Sequence, residues 1–132
     1  MLPKLEGPGV ASVAESIAAK SVSNLPAKLY HYTSADPASI MSQGLKIGES
    51  GKIYASPFGN LSPIQAQLEN AMNPARGLPM HTIEIDVAKC QSLGINISGP
   101  NRVTGMVNGM PGGGIEYMFN KSIPPSALTV AR

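Results

Sequence analysis

Glycine and proline constrain this chain more than any other feature. Its 132 residues include 14 glycines and 12 prolines, spread along the length as punctuation with no repeat among them. Gly costs backbone entropy inside regular structure, and Pro lacks the N–H that helices and central strands need. Runs between such breakers are short, so the chain must be assembled from brief strands and helices joined by many turns. A length of 132 residues supplies one hydrophobic core and not two.

The runs themselves point to a strand-rich α+β domain. Residues 10–23 (VASVAESIAAKSVS) place Val10, Val13, Ile17 and Ala18 on a weak helical stripe that ends at Asn24-Leu25-Pro26. Residues 1–27 therefore read as an N-terminal linker or helix, and residues 28–132 as the functional domain. LYHYTS (29–34) is aromatic and β-branched, hence a strand. Asp36-Pro37 opens a short helix, PASIMSQG, that closes at Gly44. LKIGESGKIYASP carries two short strands around the Gly48-Glu49-Ser50-Gly51 turn. SPIQAQLENAM (62–72) is the strongest helix, with Ser62 as N-cap ahead of Pro63. HTIEIDVAK (81–89) alternates Ile83, Ile85 and Val87 with polar neighbours, and GGIEYMFN (113–120) and SALTVA (126–131) are the last strand candidates.

Charge and cysteine usage narrow the function classes. Only 14% of the residues are charged and the formal net charge is +2, with Lys and Arg scattered from Lys4 to Arg132. No basic cluster of the kind that neutralises a phosphate backbone is visible. The single cysteine, Cys90, excludes an intramolecular disulfide and reads as a small packing residue. The two histidines and Cys90 lie far apart, so no metal is expected. GMVNGMPGGG (105–114) is not followed by Gly-Lys-Ser/Thr, which removes a phosphate loop, and no GxGxxG is present. No run reaches the ~20 apolar residues of a membrane span, and the N-terminus has no basic-then-apolar leader.

Three short segments put polar chemistry into apolar strands: Tyr30-His31-Tyr32-Thr33, Ile53-Tyr54-Ala55-Ser56 and Gly114-Ile115-Glu116-Tyr117. An unpaired carboxylate is costly inside an apolar strand, so Glu116 points to a surface edge or a functional site. Glu84 and Asp86 instead alternate onto a plain solvated face, and His81 sits at a strand start. Taken singly, His31 and Tyr54 would be packing residues; their order and spacing carry the argument.

That order, LYHYTS and a short helix, then GLKIGESGKIYASP, then a late GGIEY with IEYMFNKSIPPSALTV, resembles the small bacterial ADP-ribosyltransferase toxins of the His-Tyr-Glu type. These lie at the C-termini of polymorphic and Rhs-like secreted effectors. The resemblance covers roughly residues 28–132. It implies a split core of two small packed sheets with an NAD⁺ cleft between them. It also implies catalysis by Glu116, His31 and Tyr54, with dinucleotide contacts from His31, Tyr32, Thr33, Tyr54 and Ser56. Glu116 would stabilise positive charge as nicotinamide departs, His31 would hold the adenosine ribose, and Tyr54 would stack on nicotinamide. The glycine-rich loop 105–114 would be mobile and admit substrate.

The same resemblance implies NAD⁺ as substrate, a target-cell protein or nucleic acid as acceptor, and a cognate immunity protein as partner. It further implies delivery into a target cell by means other than a signal peptide, no membrane association, and a monomer when free. Gly114 stands where relatives often carry an acidic residue or Gln that helps choose the acceptor, so the acceptor stays open. Water as acceptor would make the enzyme an NAD⁺ glycohydrolase. Two other classes compete. His31, His81 and Glu116 could serve a metal-independent ribonuclease, although cations for phosphates are sparse. A non-catalytic binding module built on the glycine-rich loop should tolerate loss of Glu116.

Overall fold

The computed structural model describes residues 25–132, and the helix expected over 10–23 lies outside them. The described chain is α+β, with two three-stranded antiparallel sheets and a few short helices. Strands β1 (Lys28–Thr33), β3 (His81–Asp86) and β6 (Leu128–Val130) form one sheet, with β3 in the middle. Strands β2 (Ile53–Ala55), β5 (Ile115–Phe119) and β4 (Ile97–Arg102) form the other, with β5 in the middle.

Cross-strand rows explain why the sheets pack. Leu29, Ile85 and Leu128 stand side by side across the first sheet, and Ile53, Phe119 and Ile97 across the second. Both rows belong to one apolar cluster, in which Leu29, Ile85 and Phe119 are fully buried. Their burial from water is the main force holding the sheets together. Cys90 is buried in this cluster, as expected of a packing residue, and burial pushes its thiol up to about 11. A reactive cysteine needs the opposite shift. A smaller cluster, Tyr32 with Leu61 and Ala66, fills the other face of β1.

The helices follow their caps. Asp36 accepts from the Ala38 amide to start α1 (Pro37–Gln43), and Gly44 ends it at φ 84°. A Cβ at Gly44 would run into the Ile123 carbonyl, so glycine is required there on two counts. Ser62 and Gln65 form a capping box on α2 (Pro63–Glu69), which is shorter than the 62–72 read from the pattern.

Several elements differ from the sequence reading. HTIEIDVAK is not one strand: at Asp86 the side chain accepts from the Lys89 amide and caps a helix, α3 (Val87–Ser92). Of the two strands expected around Gly48–Gly51, only β2 forms, and Leu45 makes an isolated bridge to Ile123. Strand β4 has no apolar alternation to announce it; only Ile97 is partly buried, and a register break falls between Ser98 and Asn101. Among the described residues no helix is long and apolar enough to cross a membrane.

Candidate active site

The two sheets are joined where β1 meets the chain leaving β2. Tyr30 and Ser56 exchange both backbone hydrogen bonds, each at 2.8 Å. One residue further along β1, His31 Nδ1 lies 2.8 Å from the Tyr54 carbonyl oxygen. Next to this stitch lies a cavity of ≈ 610 Å³ lined from both sheets. His31, Tyr54 and Glu116, from three different strands, all line it. That volume suits a small-molecule ligand.

Each side chain reaches the cavity for a local reason. Ile53 and Ala55 point into the core, so alternation turns Tyr54 outward, leaving the residue 42% exposed on the cavity wall. Tyr54 faces Met118 across the strand pair, and Glu116, two residues from Met118, shares that face. Tyr117 and Phe119 point the other way and are buried. Glu116 is further fixed from behind by the bulge in β4. Gly99 there approaches so closely that a Cβ would lie 2.9 Å from the Glu116 carbonyl oxygen.

The protonation states follow from these surroundings. A carbonyl only accepts, so His31 must carry its proton on Nδ1 to bond Tyr54. Burial lowers the His31 pKa below its usual 6.5, opposed by the Tyr54 bond. At neutral pH the ring is therefore uncharged, with Nε2 bearing a lone pair for an incoming hydroxyl or N–H. Partial burial raises the Glu116 pKa above 4.5, with no cation offsetting it. A carboxylate held in that way is poised to gain from any positive charge that enters the cavity.

The remaining predicted contacts separate. Tyr32 lines the cavity but is only 4% exposed, and its hydroxyl is already engaged. It donates to the Phe58 carbonyl and accepts from the Leu61 amide. Tyr32 thus pins the loop between β2 and α2, and a ligand would meet its ring, not its hydroxyl. Tyr32→Phe should leave both backbone groups without that partner and cost about 1–3 kcal/mol. A urea titration with an unchanged slope and a lower midpoint would measure it. Ser56 also lines the cavity, with its Oγ accepting from the Phe58 amide at 3.0 Å. Thr33 does not line it, and its Oγ1 closes the following turn by accepting from the Ala35 amide. His81 lies outside the cavity as well, which separates it from the His31 and Glu116 that a ribonuclease mechanism would pair it with.

The glycine-rich loop is fastened where composition suggested mobility. The Gly112 and Gly114 amides donate to the Leu68 and Glu69 carbonyls at the C-terminal end of α2, at 2.9 and 3.0 Å. Asn108 Nδ2 donates to the Ala71 carbonyl at 2.9 Å. Orphan carbonyls at a helix end readily take such donors. Gly114 is consequently sealed: a Cβ would lie 2.9 Å from Asn70 Oδ1 and 3.0 Å from the Glu69 carbonyl oxygen. Gly114→Glu should destabilise by about 1–3 kcal/mol through overpacking and should not present its carboxylate to the cavity. A thermal melt tests this.

Arg76 was not legible in the sequence as a site residue. It lies in the short 3-10 turn Pro74–Arg76 and reaches the same cavity. Ser34 Oγ donates to its carbonyl at 2.7 Å, which fixes the backbone beneath an exposed side chain. Among the described residues no group of three His, Cys, Asp or Glu is placed to hold a metal ion. Compared with known proteins, the chain matches no family model, no curated protein and no solved structure.

Proposed function

We propose that this chain is an NAD⁺-dependent mono-ADP-ribosyltransferase acting as a bacterial toxin effector. The observation that carries the reading is the convergence of His31, Tyr54 and Glu116 on one cavity lined from both sheets. The three lie far apart in sequence, and the resemblance drawn from their order had implied a dinucleotide cleft between two small sheets.

The chemistry follows from the groups present. In NAD⁺ the bond between nicotinamide and ribose C1′ breaks, and its electron pair leaves with nicotinamide, which becomes neutral. Positive charge passes to the ribose as an oxocarbenium ion. Under this reading the Glu116 carboxylate stabilises that charge, and burial, which penalises its ionised form, is eased as the positive charge develops beside it. Tyr54 offers an open aromatic face to the nicotinamide ring. His31 Nε2 accepts from a ribose hydroxyl and holds the sugar in place. An acceptor oxygen or nitrogen then bonds to C1′, and its proton passes to the Glu116 carboxylate.

A target-cell protein or nucleic acid is the acceptor under this reading, and an immunity protein that fills the cavity would protect the producing cell. One feature favours water as an alternative acceptor. Gly114 offers no side chain toward the cavity, so nothing at that position recognises a macromolecular acceptor. The deciding experiment is nicotinamide release from NAD⁺ by purified protein, with and without bacterial lysate. Release that requires lysate, with label on a lysate component, supports the transferase. Release in buffer alone supports the glycohydrolase, and no release in either condition overturns both.

A further inference from the structure

A second cavity, of ≈ 710 Å³, shares three walls with the first. His31, Tyr54 and Arg76 line both. Its remaining wall brings together Lys46 and Lys52, with Glu49 as the one carboxylate. The three cations come from separate places in the fold. Lys46 follows Leu45, which the Ile123 bridge holds by two hydrogen bonds of 2.9 and 2.8 Å. Lys52 leads into β2, its amide 3.3 Å from Ser50 Oγ. The turn between them closes through the Gly51 amide and the Gly48 carbonyl at 3.0 Å. The backbone beneath the lysines is thus anchored on both sides, and all three cations are exposed to an incoming ligand.

We infer that this basic annex is the diphosphate subsite of the cleft, with Lys46, Lys52 and Arg76 as its anion-binding residues. The assignment rests on the NAD⁺ reading of the main cavity. Along the sequence the basic residues are scattered, yet here three line a cavity that shares His31, Tyr54 and Arg76 with the one Glu116 lines. A diphosphate carries two negative charges, and guanidinium and ammonium groups are the side chains that hold such oxygens. His31 and Tyr54 stand at the junction, so a dinucleotide would run from Glu116, past the His31 imidazole, to the lysines. Glu49 opposes the anion and sets a limit on affinity. A confined pocket of three cations suits a short diphosphate and not the extended backbone of a polymer, which takes a longer basic track.

Calorimetric binding of ADP and of adenosine tests the assignment without any turnover. Wild-type protein should bind ADP about tenfold or more tightly than adenosine, with the preference weakening as salt rises. Lys46→Ala/Lys52→Ala should erase that preference, and Glu49→Gln should enlarge it about twofold. Lys89→Ala/Lys121→Ala removes the same charge away from either cavity and should leave the preference intact. A wild-type protein indifferent to the diphosphate overturns the inference, as does a preference that survives in Lys46→Ala/Lys52→Ala. Equal losses in the remote pair would also overturn it, since net charge alone would then explain binding. If the protein turns over NAD⁺, KM should rise in Lys46→Ala/Lys52→Ala. An unchanged KM beside a lost ADP preference would overturn the dinucleotide assignment in favour of a phosphate on the acceptor. Absence of nicotinamide release sinks the transferase reading by itself, and the ADP measurement is read independently of it.

Discussion

Glu116→Gln should abolish nicotinamide release while raising thermal stability at neutral pH. The two changes have one cause. Glu116 lies partly buried, and its carboxyl titrates above the usual 4.5 because burial penalises the charged form. The folded protein therefore binds the Glu116 proton more readily than the unfolded chain does. Stability from this group is fully present below 4.5 and is lost as pH rises through the higher folded pKa. At pH about 7.5 the ionised carboxylate is a standing cost to the fold, and the neutral, isosteric Gln removes it. A Tm increase on the order of 1–3 °C is expected. It should vanish when both proteins are melted near pH 4.

The loss of activity should be far larger. A group that stabilises developing charge and accepts a proton contributes about 10²–10⁴-fold to rate. A binding module with no catalytic role predicts a different pattern, in which Gln at this position leaves partner binding intact. A purely structural Glu116 predicts the reverse stability change, because a substitution that breaks native contacts lowers Tm. Measured side by side, release rate and Tm at two pH values separate the three cases. If Glu116 acts ionised as proposed, wild-type activity should also fall on acidification with a midpoint above 4.5.

The legible part of this molecule is where side-chain pattern and local capping coincide. Asp36-Pro37 and Ser62-Pro63 announced their helices because the cap and the proline act within one turn. Ile83 and Ile85 announced β3 by alternation, but Val87 extended that alternation into what is in fact a helix. Asp86 was read as a solvated-face residue when its oxygen caps α3. The pattern was ambiguous there, since Asp serves either purpose. Glu84 did fall on an open face, paired with Lys28 at 3.3 Å. Strand β4 was invisible because an edge strand interrupted by Gly99 and Pro100 shows almost no hydrophobic period.

The site divides in the same way. His31, Tyr54 and Glu116 were grouped by the order and spacing of their motifs and by the resemblance these carry, and strand alternation explains how such residues can share a face. Residues that reach the cavity from turns, such as Arg76, have no periodicity to give them away. Tyr32 shows the converse. An aromatic neighbour of His31 looked available, and only the loop folding back at Phe58 and Leu61 reveals its hydroxyl as occupied. The glycine-rich loop was read from composition alone, and composition does not reveal that α2 ends beside it with carbonyls to fill.

His31 permits the sharpest separation of catalytic from structural work, because its two ring nitrogens do different things. Nδ1 donates to the Tyr54 carbonyl and helps hold the sheets together; Nε2 then carries the unshared pair, on a ring that lines the cavity. Asn places an amide N–H near the position of Nδ1 and has nothing at Nε2. Gln reaches to the position of Nε2 and gives up the Nδ1 donor. If Nε2 positions the ribose, His31→Asn should keep a Tm close to wild type yet lose about ten- to a hundredfold in kcat/KM. His31→Gln should retain more activity but melt earlier, because the Tyr54 carbonyl loses its partner. A residue that only stitches the sheets predicts the opposite ranking, with Asn the more active variant. The pH profile adds an independent check. Burial has moved the His31 pKa below 6.5, so wild-type kcat/KM should pass through pH 6.5 without an inflection. A clear inflection there, absent in His31→Asn, would mean that the ring titrates as a solvated histidine. Its role as a fixed neutral acceptor would then fall.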